Sequence, residues 1–170
     1  MGYGNRREKK KSLILIKQGE DRLIINPSDL KTIKVTKTSN GNTLTVQTSV
    51  FKHSVQVTDY LINDKLRPAL RDRYNLLTVN SRGVSSNNTG YGKKPNDIVV
   101  VEEGEGDNST KTYIFPKGLK AVEVDGNKLI INAFREEFTV DFGRQVNRTE
   151  VELFNAARLE NPPVEVREEV

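Results

Sequence analysis

The chain has 170 residues, 35% hydrophobic and 29% charged, with a net charge of +4 and no cysteine. That length suits one domain or two small modules sharing a core, and the missing cysteines exclude disulfides, thiolate metal sites and cysteine nucleophiles. No apolar run approaches the ~20 residues of a membrane span, and the polar, basic start is not of signal-peptide type, so an intracellular protein is expected.

The net charge conceals a gradient. Residues 1–11 carry Arg6, Arg7, Lys9, Lys10 and Lys11 against Glu8 alone. Residues 12–96 hold 13 basic and 6 acidic residues, and residues 97–170 hold 9 basic and 16 acidic. A basic half is thus joined to an acidic half. Sequons at Asn87, Asn108 and Asn147 are read as coincidental without a signal peptide.

In chain order, residues 1–11 form a basic arm that contains Tyr3. Residues 12–79 read as a first module. The apolar run Leu13-Ile14-Leu15-Ile16, the polar turn Gln18 to Asp21 and the segment Arg22 to Asn26 give a hairpin signal. Pro27 ends it, because proline cannot donate to a central ladder. Lys31 to Thr36, Thr43 to Thr48 and His53 to Val57 alternate with period two and are predicted strands, with a tight turn at Asn40-Gly41. Thr58 then caps a helix that places Ile62, Leu66 and Leu70 on one face. Pro68 inside that pattern predicts a kink, or a stop at Leu66 and a restart.

Residues 80–96, rich in Gly, Ser and Asn, read as a linker that contains Tyr91. Residues 97–161 read as a second module with the same order: hairpin strands Asp97 to Glu103 and Thr110 to Phe115, then Pro116, then strands Lys120 to Val124, Lys128 to Ala133 and Glu137 to Phe142. Thr149-Glu150-Val151-Glu152 is a capping-box sequence before Leu153, Phe154 and Ala157. Residues 162–170 form an acidic tail. Gly2-Tyr3-Gly4 recurs as Gly90-Tyr91-Gly92 at an offset of about 88 residues, and Pro27 matches Pro116, Leu30 matches Leu119, Lys31 matches Lys120 and Gly41-Asn42 match Gly126-Asn127. The expected fold is therefore α+β and mostly antiparallel: a tandem duplication of a five-stranded meander or barrel-like module followed by one helix, packed as a pseudo-twofold pair.

Chemistry-bearing residues are sparse. His53 is the lone histidine, on the face of Val55 and Val57, and reads as structural. Glu102, Glu103, Glu105 and Asp107 do not have the spacing of an EF-hand loop and read as a solvated acidic turn. No nucleotide-binding, hydrolase or metalloprotease motif occurs, so neither a catalytic site nor a metal or cofactor is expected. The arm residues Arg6, Arg7, Lys9, Lys10 and Lys11, with Lys65, Arg67, Arg71 and Arg73 on the helix, are the candidate nucleic-acid contacts, and Tyr3 and Tyr91 offer stacking surfaces. Opposite charge on the two halves suits head-to-tail contact between copies, with Tyr3, Tyr91, Glu102, Glu103, Glu105 and Asp107 as assembly contacts. The leading expectation is a non-enzymatic, self-associating subunit of a larger assembly, concretely a bacteriophage virion component (capsid-associated, connector or tail) assembled in the host cytoplasm. The alternative is a nucleic-acid-binding accessory protein.

Overall fold

The computed structural model describes residues 14–18, 21–25, 29–87, 96–157 and 166–168. Strands β1 (Ile14–Gln18) and β2 (Asp21–Ile25) form a two-stranded antiparallel sheet of their own. β3 (Leu30–Thr38), β4 (Gly41–Thr48) and β5 (Lys52–Val57) follow as a meander. A π-helical segment (Leu61–Leu66) runs into helix α1 (Arg67–Arg73). Next come β6 (Tyr74–Asn80), β7 (Gly83–Asn87), β8 (Asn96–Glu105) and β9 (Asn108–Ile114). A 3-10 turn (Pro116–Gly118) leads into β10 (Leu119–Asp125), β11 (Lys128–Ala133) and β12 (Glu136–Asp141). Helix α2 (Arg148–Asn155) and the three-residue β13 (Val166–Glu168) complete the order.

These elements do not form two copies of one module. The main body is a mixed seven-stranded sheet in the order β5-β4-β3-β9-β8-β6-β7, and a separate sheet runs β12-β11-β10-β13. The expected symmetric pair is overturned by two features. The hairpin β8–β9, from the acidic half, is hydrogen-bonded between β3 and β6 of the basic half. In addition, β6 and β7 extend the large sheet from residues expected to end one module and open a linker, whereas the strand described after α2, β13, joins the small sheet. The matched residues do share local geometry: β3 and β10 both start with a register shift, between Leu30 and Thr32 and between Leu119 and Ala121. Likeness thus holds for a hairpin and a bulged meander, and fails at the level of the sheet.

The layering follows from side-chain alternation. A strand sends successive residues to opposite faces, so a run of apolar residues marks a strand buried on both. Along β8, Ile98 and Val100 face one core while Val99 and Val101 face the other. On the first face, the π-helical segment and α1 lay Leu61, Leu66 and Leu70 over Ile33, Val35, Leu44, Val46 and Phe115. On the second, Leu77, Val79 and Ile114 meet Val122, Leu129, Ile131 and Phe138 of the small sheet, with Val151 and Phe154 of α2. The result is three layers: helix, seven-stranded sheet, small sheet with α2.

The local expectations fare better than the symmetry. Thr58 Oγ1 accepts a hydrogen bond from the backbone of Leu61 at 3.2 Å, at the predicted helix start. At Leu66 the helix changes from π to α instead of stopping, and Pro68 follows in the first turn of the α segment, so the change of helix type falls beside the proline. The second capping box is displaced by two residues: Asn147, not Thr149, is the N-cap, and Glu150 is its reciprocal partner. Both caps have a glutamate three residues on, and Glu150 is the one also held by Arg144 and the Val84 backbone, which favours the cap at Asn147.

The turn after β9 is seated by a close backbone approach. Phe115 donates its backbone N–H to the Lys31 carbonyl at 3.0 Å, and a Cβ on Gly118 would lie 2.1 Å from that same oxygen. Only glycine fits there. We predict that Gly118→Ala lowers stability by about 1–3 kcal/mol through overpacking, and that Ile98→Ala, at a fully buried position, lowers it by about 2–5 kcal/mol. Val50→Ala, at an exposed position, should stay within about 0.5 kcal/mol of the parent in the same urea titrations.

Candidate functional site

The helix does not cover the whole first face of the large sheet. Toward the tips of the β3–β4 and β8–β9 hairpins it leaves a cleft of about 300 Å³, bounded by Asp59, Asn63 and Arg67 on the helix side. The opposite wall is built from Asn42, Glu102, Lys111 and Tyr113. Register explains the convergence. Val100 pairs with Tyr113 and Glu102 with Lys111, so these side chains continue the row of core residues on one face into the cleft.

The cleft is polar and internally paired. Glu102 accepts from Asn80 Nδ2 at 2.9 Å and lies 3.1 Å from Lys111 Nζ, while Asn42 Nδ2 donates to Asp59 Oδ1 at 2.7 Å. Burial acts to raise the Glu102 pKa, but the hydrogen bonds from Asn80 and Lys111 and the charges of Lys111 and Arg67 outweigh it, holding the carboxyl below its usual range. Tyr113 moves the other way. Burial pushes its phenol up to about 12, with Arg67 and Arg71 pulling against that and Glu102 adding to it. At neutral pH the phenol stays protonated.

A second polar cluster joins the layers. Glu150 of α2 receives both Arg144 guanidinium nitrogens at 2.8 Å and the backbone N–H groups of Val84 at 2.8 Å and Asn147 at 3.1 Å. Arg144 also donates to the Arg82 carbonyl at 3.1 Å. The hydrogen bond from Arg144, with the backbone donors Asn147 and Val84, overcomes burial and lowers the Glu150 pKa to about 2. Glu150 is therefore a clasp between α2 and the β6–β7 turn. Gly83, with φ +129°, makes room for it, since a Cβ there would lie 2.2 Å from Glu150 Oε2.

The candidate residues named from sequence are partly brought together. Arg67 lines the cleft beside Glu102, Glu103 and Glu105, so the basic helix and the acidic hairpin meet within one chain. Lys65 and Arg71 are exposed, Arg73 is half-buried, and the exposed acids Asp64 and Asp72 interrupt the basic face. Asp107 is exposed at the β8–β9 turn, and among the described residues no three acidic or histidine side chains converge as metal ligands. His53 pairs in register with Val46, on the core face as expected, but at an exposed end of β5 and outside the cleft. Arg6, Arg7, Lys9, Lys10, Lys11, Tyr3 and Tyr91 lie outside the described residues.

Sequence reasoning missed Tyr113, Asn42, Asp59 and Lys111 in the cleft, and the Arg144–Glu150 clasp. Strand register could have linked Glu102 to Lys111, but the helix contacts and the clasp arise between distant segments. Among the described residues no helix is long and apolar enough to cross a membrane. Neither a protein-family model nor a curated protein nor a solved structure matches this chain.

The clasp has a pH signature. The folded pKa of Glu150, about 2, lies below its ordinary value of 4.5, so in that interval the unfolded chain binds a proton that the folded chain does not. The clasp's contribution is complete above the unfolded pKa and is lost as pH falls toward 2. We predict that Glu150→Gln costs roughly 1–2 kcal/mol at pH 7, discounted for the half-exposed Arg144, and flattens the acid limb of stability against pH in urea titrations.

Proposed function

We propose that this protein is a non-catalytic subunit of a larger assembly, which associates with copies of itself and with other structural proteins. The observation that carries the reading is the number of open strand edges. Among the described residues, β5 and β7 end the large sheet, β12 ends the small one, and the β1–β2 hairpin pairs with no other strand. Unpaired edges are templates for another chain, and monomeric proteins ordinarily blunt or cover them. Val50 and Phe51, in the turn that enters β5, are 87% and 49% exposed, and Tyr60 is 60% exposed at the start of the helix. Apolar groups beside an open edge suit a protein contact better than a solvated surface.

The charges of the cleft fit the same reading. Glu102 and Asp59 are engaged by Lys111, Asn80 and Asn42, pairings that support reading the cleft as a structural junction. The concrete form of the proposal, a bacteriophage virion component of capsid-associated, connector or tail type, rests on sequence character: charged arms, short strands and no cysteine. Nucleic-acid binding is the second reading. The exposed cations Lys65 and Arg71 favour it, while Asp64 and Asp72 beside them would repel phosphate.

Light scattering after size exclusion tests the assembly reading. Masses above the 19.2 kDa of one chain are expected at low salt, falling as salt screens contact between the basic and acidic halves. A 19.2 kDa species at every salt and protein concentration would remove the self-association. Under the nucleic-acid reading, deletion of residues 1–11 abolishes retention on heparin. Under the assembly reading, that deletion changes the oligomer mass.

A further inference from the structure

Among the described residues, the hairpin β1–β2 joins no larger sheet. Six of its ten residues are apolar, Ile14, Leu15, Ile16, Leu23, Ile24 and Ile25, and its register runs from Ile14↔Ile25 to Gln18↔Asp21. An isolated two-stranded hairpin is marginal in water. Hairpin β8–β9 has the same design and shows what such a hairpin does. Its pairing runs from Val99↔Ile114 to Glu105↔Asn108, and Pro116 follows Ile114 by two residues as Pro27 follows Ile25. β9 docks antiparallel on β3 directly after the Leu30/Thr32 bulge, with Ile114↔Thr32 and Tyr113↔Ile33.

A second bulged strand has a comparable edge. β10 carries its register shift between Leu119 and Ala121; one edge beyond it pairs with β11, and on the other, among the described residues, lies the parallel, three-residue β13 through Val122↔Val166, Glu123↔Arg167 and Val124↔Glu168. β13 is the shortest strand among those described. Parallel pairing is slightly weaker per residue than antiparallel, and so short a strand is readily exchanged.

We propose that β10 is the docking edge for hairpin β1–β2 of a second copy of this chain, which replaces β13. Transferring the register of β9 on β3 gives Ile25↔Ala121, Ile24↔Val122, Leu23↔Glu123 and Arg22↔Val124. The ladder stops there, because one more pair would set Asp21 opposite Asp125, and like charges directly opposed are destabilising. The donor is another copy because β1 approaches the π-helical segment, on one side of the large sheet, while β10 belongs to the core on the other side. Donor and acceptor surfaces differ, so the contact is heterologous and propagates head to tail into a ring or filament. This deepens the assembly reading and depends on it.

Cross-linking between two differently tagged pools tests the register. One pool carries Leu23→Cys and the other Glu123→Cys, and the parent has no cysteine, so a short bis-maleimide can join only unlike chains across the proposed contact. A heterodimer band at least about five-fold stronger than that from Leu23→Cys with Ser54→Cys, which sits on the β5 edge, is expected. Full-length Arg167→Pro removes a backbone donor from β13 and frees the β10 edge, so it should lower the concentration at which oligomers form. If light scattering shows oligomers while the cross-link is absent or favours Ser54, the strand exchange is overturned and the assembly reading stands. If the chain is monomeric throughout, both fall. Weaker association of Arg167→Pro also overturns the exchange.

Discussion

The structure depends on one insertion: the hairpin β8–β9 enters the large sheet between β3 and β6. Without it, β3–β5 and β6–β7 would be separate sheets of three and two strands, and a two-stranded hairpin is marginal by itself. β8 supplies side chains to both cores, Ile98 and Val100 to the helix side and Val99 and Val101 to the small-sheet side. It is therefore the layer on which the other two rest. The seat is tight at its exit, where the turn before β10 presses its backbone on Lys31 at Gly118.

Polar groups secure what the apolar layers bring together. The Arg144–Glu150 clasp ties α2 to the β6–β7 turn through backbone and guanidinium donors to a nearly buried carboxylate. Such a carboxylate is stable only when its oxygens are fully engaged, since burying an unpaired charge is costly. Here Arg144, Val84 and Asn147 provide the donors. On the opposite side of the large sheet, Glu102 is held by Lys111 and Asn80. Both of these pairs lie within the acidic half, whereas the ion pair of Lys34 with Glu136 joins the basic half to the acidic one.

The open features share a physical character. Among the described residues, sheets that stop at unpaired edges, a hairpin that pairs with no other strand and a three-residue strand laid on β10 are all incomplete ladders. Backbone groups left without partners in the sheet are satisfied by water or by another chain, and the second choice also removes apolar side chains from water.

Much of the local structure was legible in the amino-acid sequence. Period-two alternation, Pro27, Pro116 and the cap at Thr58 located the two hairpins, the two meanders and the first helix, because these are set by neighbours in the chain. The three strands outside that pattern were not. Asn80 to Asn87 reads as a polar loop, yet β7 pairs with β6, which is itself held by β8. Which strands would share a sheet was decided only by tertiary structure. A hairpin's register is local, whereas its choice between β3, β10 or a second chain depends on which faces the rest of the fold buries. Repetition in the chain therefore determined that two meanders would form, and side-chain burial across three layers determined that they would stand in different sheets.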